Sequence, residues 1–252
     1  MVITSKSNNT VKYISSLKDK KFRNKYGQYV VEGRKMVREA LLYGKPVSIV
    51  VGTEEALSEL LTDIPENVEV LTVTDEVMNF MSDAVTPQGV MAVITKENFD
   101  GKCADSVCVM LDGVSDPGNM GTIIRTAAAV GIKRLYLANC CDPYSPKTVR
   151  SSMSGIYFVE IVEGERQEIL GLLEGVPLIV ADMGGQNVFE FMPPKEYCLV
   201  VGNEANGISD EVKKKADKII GIPMDGKVES LNAAVSFAVS IYALTYGPHK
   251  TI

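Results

Sequence analysis

The sequence predicts an α/β protein built in two parts. Short Val- and Ile-rich runs alternate with amphipathic helical stretches along most of the chain, the signature of strands covered by helices. One stretch, "KENFDGKCADS" (96–106), interrupts the alternation with polar, glycine-containing, aperiodic sequence. Residues 1–97 therefore read as a small α/β domain, 98–106 as a linker and 107–252 as a second α/β domain. The composition agrees: 46% hydrophobic and 23% charged residues over a chain of 252 suffice for sizeable cores.

In the first part, "QYVVEG" (28–33) alternates as a strand, and "RKMVREALLYG" (34–44) has helical periodicity closed by Gly44. A buried strand "VSIVVG" (47–52), helical "EEALSELL", strand "VEVLTV", helical "DEVMNFMS" and strand "GVMAVIT" (89–95) follow. The second part opens with strand "VCVMLDGV" (107–114), helix "NMGTIIRTAAAVG" (119–131) and strand "RLYLAN". A Pro-containing loop with a short helix near "SPKTVRSSMSG" leads to strand "YFVEIV", helix "RQEILGLLEG" and strand "PLIVADM". Beyond the loop at "MPPKEY" come strand "CLVVGNE", helix "SDEVKKKA", strand "KIIGIPM" and a final small-and-apolar helix. In that last helix Ser230 is the expected N-cap, and Ala233, Ala234, Phe237, Ala238, Ile241 and Tyr242 the expected buried face. Capping by Ser230 leaves Asn232 unexplained, because it would fall inside the first turn, where asparagine is a weak helix former.

Composition also excludes whole classes of chemistry. Five cysteines (Cys103, Cys108, Cys140, Cys141, Cys198), odd in number and without a C-x-x-C pair, argue against a disulfide framework and a zinc ribbon. A single histidine, His249, leaves almost no material for a Ser-His-Asp triad or a multi-histidine metal site, and no metal is expected. No apolar run reaches the roughly 18 residues of a membrane span, and "MVITSKSNNT" has no hydrophobic stretch after its first lysine, so a cytoplasmic protein without a membrane is expected. The net charge of −6 hides an asymmetry: residues 1–40 carry ten Lys or Arg against three acids, a local +7, which leaves −13 for the remainder. A basic N-terminal segment on an acidic body fits a polyanion gripped at one end; a merely solvated lysine-rich helix is the competing reading.

Three polar clusters stand where strands of the second part end. "LDGVSDPGNMGTIIR" sets Asp112, Asn119 and Arg125 around a Gly-rich turn entering a helix, without the spacing of a dinucleotide fingerprint or a P-loop. Asn119 and Arg125 are six residues apart, about one and two-thirds turns, so they do not share an obvious face. "LVVGNEANGIS" follows a hydrophobic strand with Gly202, Asn203, Glu204 and Gly207, in the position where open α/β sheets bind ligands. The third is "IPMDGKVESLN", with Glu229, Ser230 and Asn232 at the mouth of the last helix.

Together these clusters resemble the three motifs of the SpoU (TrmH) family of RNA 2′-O-methyltransferases in the SPOUT superfamily. "DPGNMGTIIRTAAAVGI" resembles the first motif, "LVVGNEANGIS" the second and "IPMDGKVESLNAAVSFAVSIY" the third, in that order. "SPKTVRSSMSGIYF" is similar to the stretch between the first and second motifs, so the likeness covers roughly 105–246. Residues 1–97 resemble, less specifically, the ribosomal-protein-like RNA-binding domain of many members. One departure is Ala205, where members commonly carry glycine; an alanine there would be strained if the loop used a positive φ.

The resemblance implies an α/β trefoil knot in the second domain, which members use to bind S-adenosylmethionine and to form a homodimer. It implies cofactor contacts at Gly202, Ile222 and Leu231 with Met224 nearby, and a reacting centre of Arg125, Asn119, Glu204, Ser230 and Asn232. The implied reaction is methyl transfer to a ribose 2′-hydroxyl of structured RNA, ribosomal rather than transfer RNA by the two-domain layout. A 2′-OH is a poor nucleophile until its proton is shared, and a guanidinium stays protonated to a pKa above about 12. Two roles for Arg125 stand open: a base relieved of its proton by an RNA phosphate, or a clamp on that phosphate that stabilises the developing alkoxide. The alternatives are an RNA-binding protein that keeps the knot without the chemistry, and an ordinary doubly wound nucleotide-binding enzyme, disfavoured by the missing G-x-G-x-x-G turn.

Overall fold

The computed structural model describes residues 2–99, 101 and 105–247. Cys103, His249 and part of the expected linker lie outside the described residues. The chain divides into two compact units: Met1–Asn98 with Tyr144–Tyr157, and Phe99–Pro143 with Phe158–Ile252.

In the first unit β1 (Val2–Ile3) precedes α1 (Asn9–Ser16) and α2 (Lys20–Tyr26); β2 (Gln28–Glu32), α3 (Arg34–Leu42), β3 (Val47–Gly52), α4 (Glu54–Ser58), β4 (Glu69–Val73), α5 (Asp75–Met81) and β5 (Val90–Thr95) follow. The sheet order is β1-β4-β3-β5-β2, with β5 antiparallel to both β2 and β3 and the remaining pairs parallel. Val11 and Ile14 from α1 and Leu17 at its C-cap meet Val77, Met78 and Met81 from α5 over Val51, Val73, Met91 and Val93 of the sheet. Each such buried side chain contributes about 1.5–3 kcal/mol relative to exposure. The lysine-rich segment folds into α1 and α2 because each has a cap: Asn8 Oδ1 accepts from Thr10 and Val11 N–H, Asp19 accepts from Lys21 N–H, and Gly27 at φ 63° ends α2.

One difference from the expected domain division concerns residues 144–157. Helix α7 (Pro146–Ser152) and the 3₁₀ turn after it group with the first unit although the surrounding sequence belongs to the second. The reason is side-chain chemistry: Tyr157 Oη donates to the Met36 carbonyl at 2.9 Å, Ser154 donates to Glu39, and Arg150 pairs with Asp83 at 2.7 Å. Nothing in the local periodicity of "SPKTVRSSMSG" announces partners more than sixty residues upstream.

The second unit holds a wholly parallel sheet in the order β11-β9-β10-β6-β7-β8. Its strands are β6 (Val107–Asp112), β7 (Arg134–Ala138), β8 (Glu160–Gly164), β9 (Leu178–Asn187), β10 (Tyr197–Gly202) and β11 (Lys218–Gly221). Its helices are α6 (Pro117–Ala129), α8 (Arg166–Leu172), α9 (Asp210–Lys213) and α10 (Ala233–Tyr246). The central strands β6 and β10 are buried from end to end apart from Val107, as expected of a parallel sheet covered on both faces. After β11 at the sheet edge the chain returns, and α10 packs on β9, β10 and α6. Phe237, Ile241 and Leu244 form its buried face, whereas Tyr242 is 46% exposed, contrary to the expected core position. Val235, Tyr242 and Tyr246 make an exposed apolar side of the same helix.

Candidate active site

The three motifs converge at the carboxyl ends of β6, β10, β9 and β11, where a parallel sheet offers its loops and helix N-termini to a ligand. Strands β6 and β10 end side by side, Asp112 opposite Gly202, which brings the first two motifs together. Asp116 caps α6, its Oδ1 accepting from Asn119 N–H at 2.8 Å, and Pro117 supplies a first-turn residue with no N–H to satisfy.

Glu204 reaches this helix N-terminus from the second motif. Its carboxylate accepts from Asn119 Nδ2 at 2.9 Å, from Ser115 N–H and Oγ at 3.3 and 3.2 Å, and from Asp116 N–H at 3.4 Å. Partial burial works to raise the Glu204 carboxyl, but the hydrogen bonds from Asn119, Ser115 and Asp116 outweigh it and hold the group below the usual carboxylate range. An ionised acceptor at a helix N-terminus is the favourable charge arrangement there.

The third motif joins through Asn232. Its Nδ2 donates to Asn119 Oδ1 at 2.9 Å, while its Oδ1 accepts from Ala234 and Val235 N–H at 2.9 and 3.2 Å. Asn232, not Ser230, is therefore the N-cap of α10. The helix begins two residues later than the expected cap implied, which removes the puzzle of an asparagine in a first turn: its oxygen closes the helix and its amide reaches Asn119. The result is a hydrogen-bonded line from Glu204 through Asn119 to Asn232, across all three motifs. Asn119 uses both ends of its amide, donating to Glu204 and accepting from Asn232, so its orientation is fixed.

The loop after β10 is organised by Asn203. Its Oδ1 accepts from Ala205 and Asn206 N–H at 2.9 and 3.0 Å, and its Nδ2 donates to the Gly113 carbonyl at 2.7 Å. The positive φ in this loop falls on Gly207, at 65°, and Ala205 is not among the positive-φ residues, so the alanine sits there without backbone strain. Gly202 is required by space: a Cβ on it would lie 2.4–2.6 Å from the backbone of Gly207 and Ile208. Beneath the loop, Asp112 is 1% exposed and ties two further segments together. Its carboxylate accepts from Arg166 Nε at 2.7 Å and from Ser209 N–H at 2.8 Å.

Beside this polar line lies a cavity of about 400 Å³. Gly202, Ile222, Met224 and Leu231 all line it, as do Glu204 and Ser230. One wall comes from an irregularity in the β9–β11 pairing: Ile219 pairs with Val180 but Ile220 with Gln186, so residues 181–185 leave the ladder and Ala181, Asp182 and Met183 face the cavity. Asp182 there pairs with Lys213 at 2.6 Å. Sequence reasoning missed Ser115, Asp182 and Lys213; the strand-end rule that singled out Glu204 applies equally to Asp182 after "PLIVA". Arg125 stands apart from the Glu204–Asn119–Asn232 line: it is exposed on α6 and has no hydrogen-bond or ion-pair partner among the described residues. Among the described residues no cluster of His, Cys, Asp and Glu is arranged to hold a metal, and no helix is long and apolar enough to cross a membrane.

Comparison with known proteins agrees with this geometry. The profile of the SpoU rRNA Methylase family matches residues 106–242, and that of the MRM3-like substrate binding domain residues 8–92. A relative from Bacillus subtilis, named a 23S rRNA guanosine 2′-O-methyltransferase, is 29% identical over 96% of this chain and 98% of its own. The solved structure of an RNA methyltransferase of the TrmH family from Porphyromonas gingivalis superposes with a TM-score of 0.86 at 32% identity, covering 95% of this chain and 98% of that one. An AdoMet-bound rRNA methyltransferase from Sinorhizobium meliloti superposes with a TM-score of 0.85 at 27% identity, covering 96% of each chain. With three motifs assembled into one site, a family profile over more than half its length and full-length neighbours of the same fold, the chain belongs to the SpoU rRNA methylase family.

Proposed function

We propose that this enzyme transfers a methyl group from S-adenosylmethionine to a ribose 2′-hydroxyl of ribosomal RNA. The observation that carries the proposal is the hydrogen-bonded line Glu204–Asn119–Asn232 beside a cavity lined by Gly202, Ile222, Met224 and Leu231. The cavity suits the cofactor: its volume falls within the range of small-molecule sites, and Glu204 and Glu229 supply negative charge beside a cationic ligand, the charge of Asp182 being offset by Lys213 in the same lining. Gly202, Ile222 and Leu231 would hold the adenosine end, with Met224 against it. Bound there, S-adenosylmethionine supplies an electrophilic methyl group on a positively charged sulfur.

The chain's own residues then have distinct tasks. Glu204, held ionised, fixes Asn119, and Asn119 fixes Asn232, so two amides present a rigid polar edge to the ribose. Ser230 lines the same cavity and completes that edge. Arg125, exposed and without a hydrogen-bond or ion-pair partner among the described residues, grips the phosphate next to the target ribose and stabilises charge developing on the 2′-oxygen. The first domain binds the RNA, as the match of residues 8–92 to a substrate-binding domain supports. A trefoil knot is the proposed path of the returning segment after β11, and a homodimer the proposed assembly, supported by the exposed Val235, Tyr242 and Tyr246 on α10. A cytoplasmic location goes with a ribosomal substrate and with the lack of a disulfide among the described cysteines.

Transfer of tritiated methyl groups from S-adenosylmethionine to ribosomal RNA tests the activity, with alkali-resistant linkages mapping the 2′-O position. Arg125→Ala should abolish transfer while calorimetry finds cofactor affinity nearly intact. Activity of that variant within a few-fold of wild type refutes the assignment of Arg125. Cofactor binding without any transfer to RNA favours the knotted RNA-binding protein instead.

A further inference from the structure

The positive charge of the N-terminal segment is not evenly available in the fold. Lys6 pairs with Glu76, Arg34 with Glu59, Lys35 with Glu39, and Arg38 with Asp63. Lys18 donates to the Phe80 and Ser82 carbonyls, and Arg23, 3% exposed, donates through Nη1 to the Leu17 and Lys18 carbonyls at 2.8 and 2.6 Å. What remains is concentrated on α1 and α2: Lys12, Lys20, Lys21 and Lys25 are exposed and have no carboxylate partner among the described residues.

Aromatic rings are interleaved with those lysines. Phe22 and Tyr26, one turn apart on α2, lie with centroids 6.4 Å apart and planes only 15° from parallel. Tyr13 of α1 braces Tyr26 edge-on at 5.1 Å. Lys21 Nζ stands over the Phe22 ring at 5.9 Å and Lys25 Nζ over Tyr26 at 5.2 Å. Tyr26 keeps 41% of its surface open, although a large aromatic side chain gains by burial. The platform is rigid, because the buried Arg23 pins α2 to the end of α1. A solvated lysine helix needs neither the stacked rings nor their bracing.

We infer that the α1–α2 face is a stacking site for an unpaired RNA base, with Tyr26 and Phe22 taking the ring and Lys12, Lys20, Lys21 and Lys25 the flanking phosphates. The inference rests on RNA being the substrate, and it adds the substrate class: RNA with an extruded or single-stranded nucleotide, not a continuous duplex. Base–aromatic stacking discriminates in that way because a ring paired and stacked within a duplex has no free face to offer.

Fluorescence anisotropy of the full chain with a labelled single-stranded RNA of about 12 nucleotides, and with a duplex of the same length, tests it. Tyr26→Leu, which keeps apolar packing against Tyr13, should weaken single-strand binding about 5- to 100-fold and leave duplex binding within about 2-fold. Lys21→Ala with Lys25→Ala should weaken both and reduce the single-strand salt slope by roughly 1.4. Unchanged S-adenosylmethionine affinity by calorimetry reports that each variant is folded. Wild-type single-strand affinity in Tyr26→Leu, or equal losses on both RNAs, overturns the stacking site. If wild type methylates ribosomal RNA in either case, the proposed function stands without the platform; if wild type binds neither short RNA, the stacking site falls, and the proposed function falls only if transfer to ribosomal RNA is also absent.

Discussion

Replacing Asn232 by alanine removes two things at once, and the structure separates them. The Oδ1 atom caps α10 through N–H groups at 2.9 and 3.2 Å, worth about 1 kcal/mol for an exposed asparagine cap. The Nδ2 atom donates to Asn119 at 2.9 Å, a neutral amide pair worth about 0.5–1 kcal/mol net in an exposed setting. Asn232→Ala should therefore cost about 1.5–2 kcal/mol, lowering the melting temperature of the second unit by roughly 3–8 °C. Asn232→Ser retains a capping oxygen but is too short to reach Asn119, so it should lose only about 0.5–1 kcal/mol. Urea unfolding followed by far-ultraviolet circular dichroism measures both variants, provided the m value is unchanged. A cycle with Asn119→Ala should return a coupling of about 0.5–1 kcal/mol. The reasoning fails if Asn232→Ser is as destabilised as Asn232→Ala, or if Asn232→Ala lies within about 0.3 kcal/mol of wild type, inside the error of additivity.

Three further outcomes are expected. Because the Glu204 carboxyl is held below its usual value of 4.5, its stabilising contribution is present above that pH and is lost as pH falls through the lowered value. Glu204→Gln should flatten this acid limb of an unfolding profile, and an unaltered limb would contradict it. Gly202→Ala places a Cβ 2.4 Å from the Gly207 backbone and must displace the loop bearing Glu204; calorimetry should find S-adenosylmethionine affinity lowered by about tenfold or more, and wild-type affinity would show that the loop accommodates the methyl. Burial pushes the Cys140 thiol up to about 12, and burial with nearby Glu204 and Asp116 pushes Cys141 up to about 11. Both should therefore alkylate far more slowly at pH 8 than a free thiol and react promptly in urea, whereas native-state labelling at the rate of glutathione would exclude neutral thiols.

Much of the fold was legible because strand and helix periods are local properties. "VCVMLDGV" and "CLVVGNE" could be read as buried parallel strands from their uninterrupted apolar runs, and they end within two residues of the observed β6 and β10. The candidate site was legible as three strand-end clusters, and the family resemblance proposed its members, of which Asn119, Glu204 and Asn232 come together in the fold while Arg125 stands apart. What periodicity could not carry was the pairing. Asn119 and Glu204 are 85 residues apart and Asn119 and Asn232 are 113, so only the juxtaposition of β6 with β10 and the return of α10 brings them into one line.

The same limit explains each departure. Ser230 is as good a cap as Asn232 in isolation, and the choice of Asn232 depends on Asn119 waiting for its amide. Tyr242 has the spacing of a core residue, but α10 meets β9, β10 and α6 on the side of Phe237, Ile241 and Leu244. Residues 144–157 read as part of the second domain until Tyr157 and Ser154 find Met36 and Glu39 in the first unit. The surplus of +7 in residues 1–40 was visible as a sum; which lysines keep their charge for a partner was decided by the carboxylates and carbonyls that folding places beside the others. By itself the sequence determined the secondary-structure order, the charge asymmetry and the residues of three motifs, since these depend on neighbours a few positions away. Only the tertiary structure decided the caps, the exposed face of α10 and the line from Glu204 to Asn232, because hydrogen bonds and ion pairs act over a few ångströms in space regardless of separation along the chain.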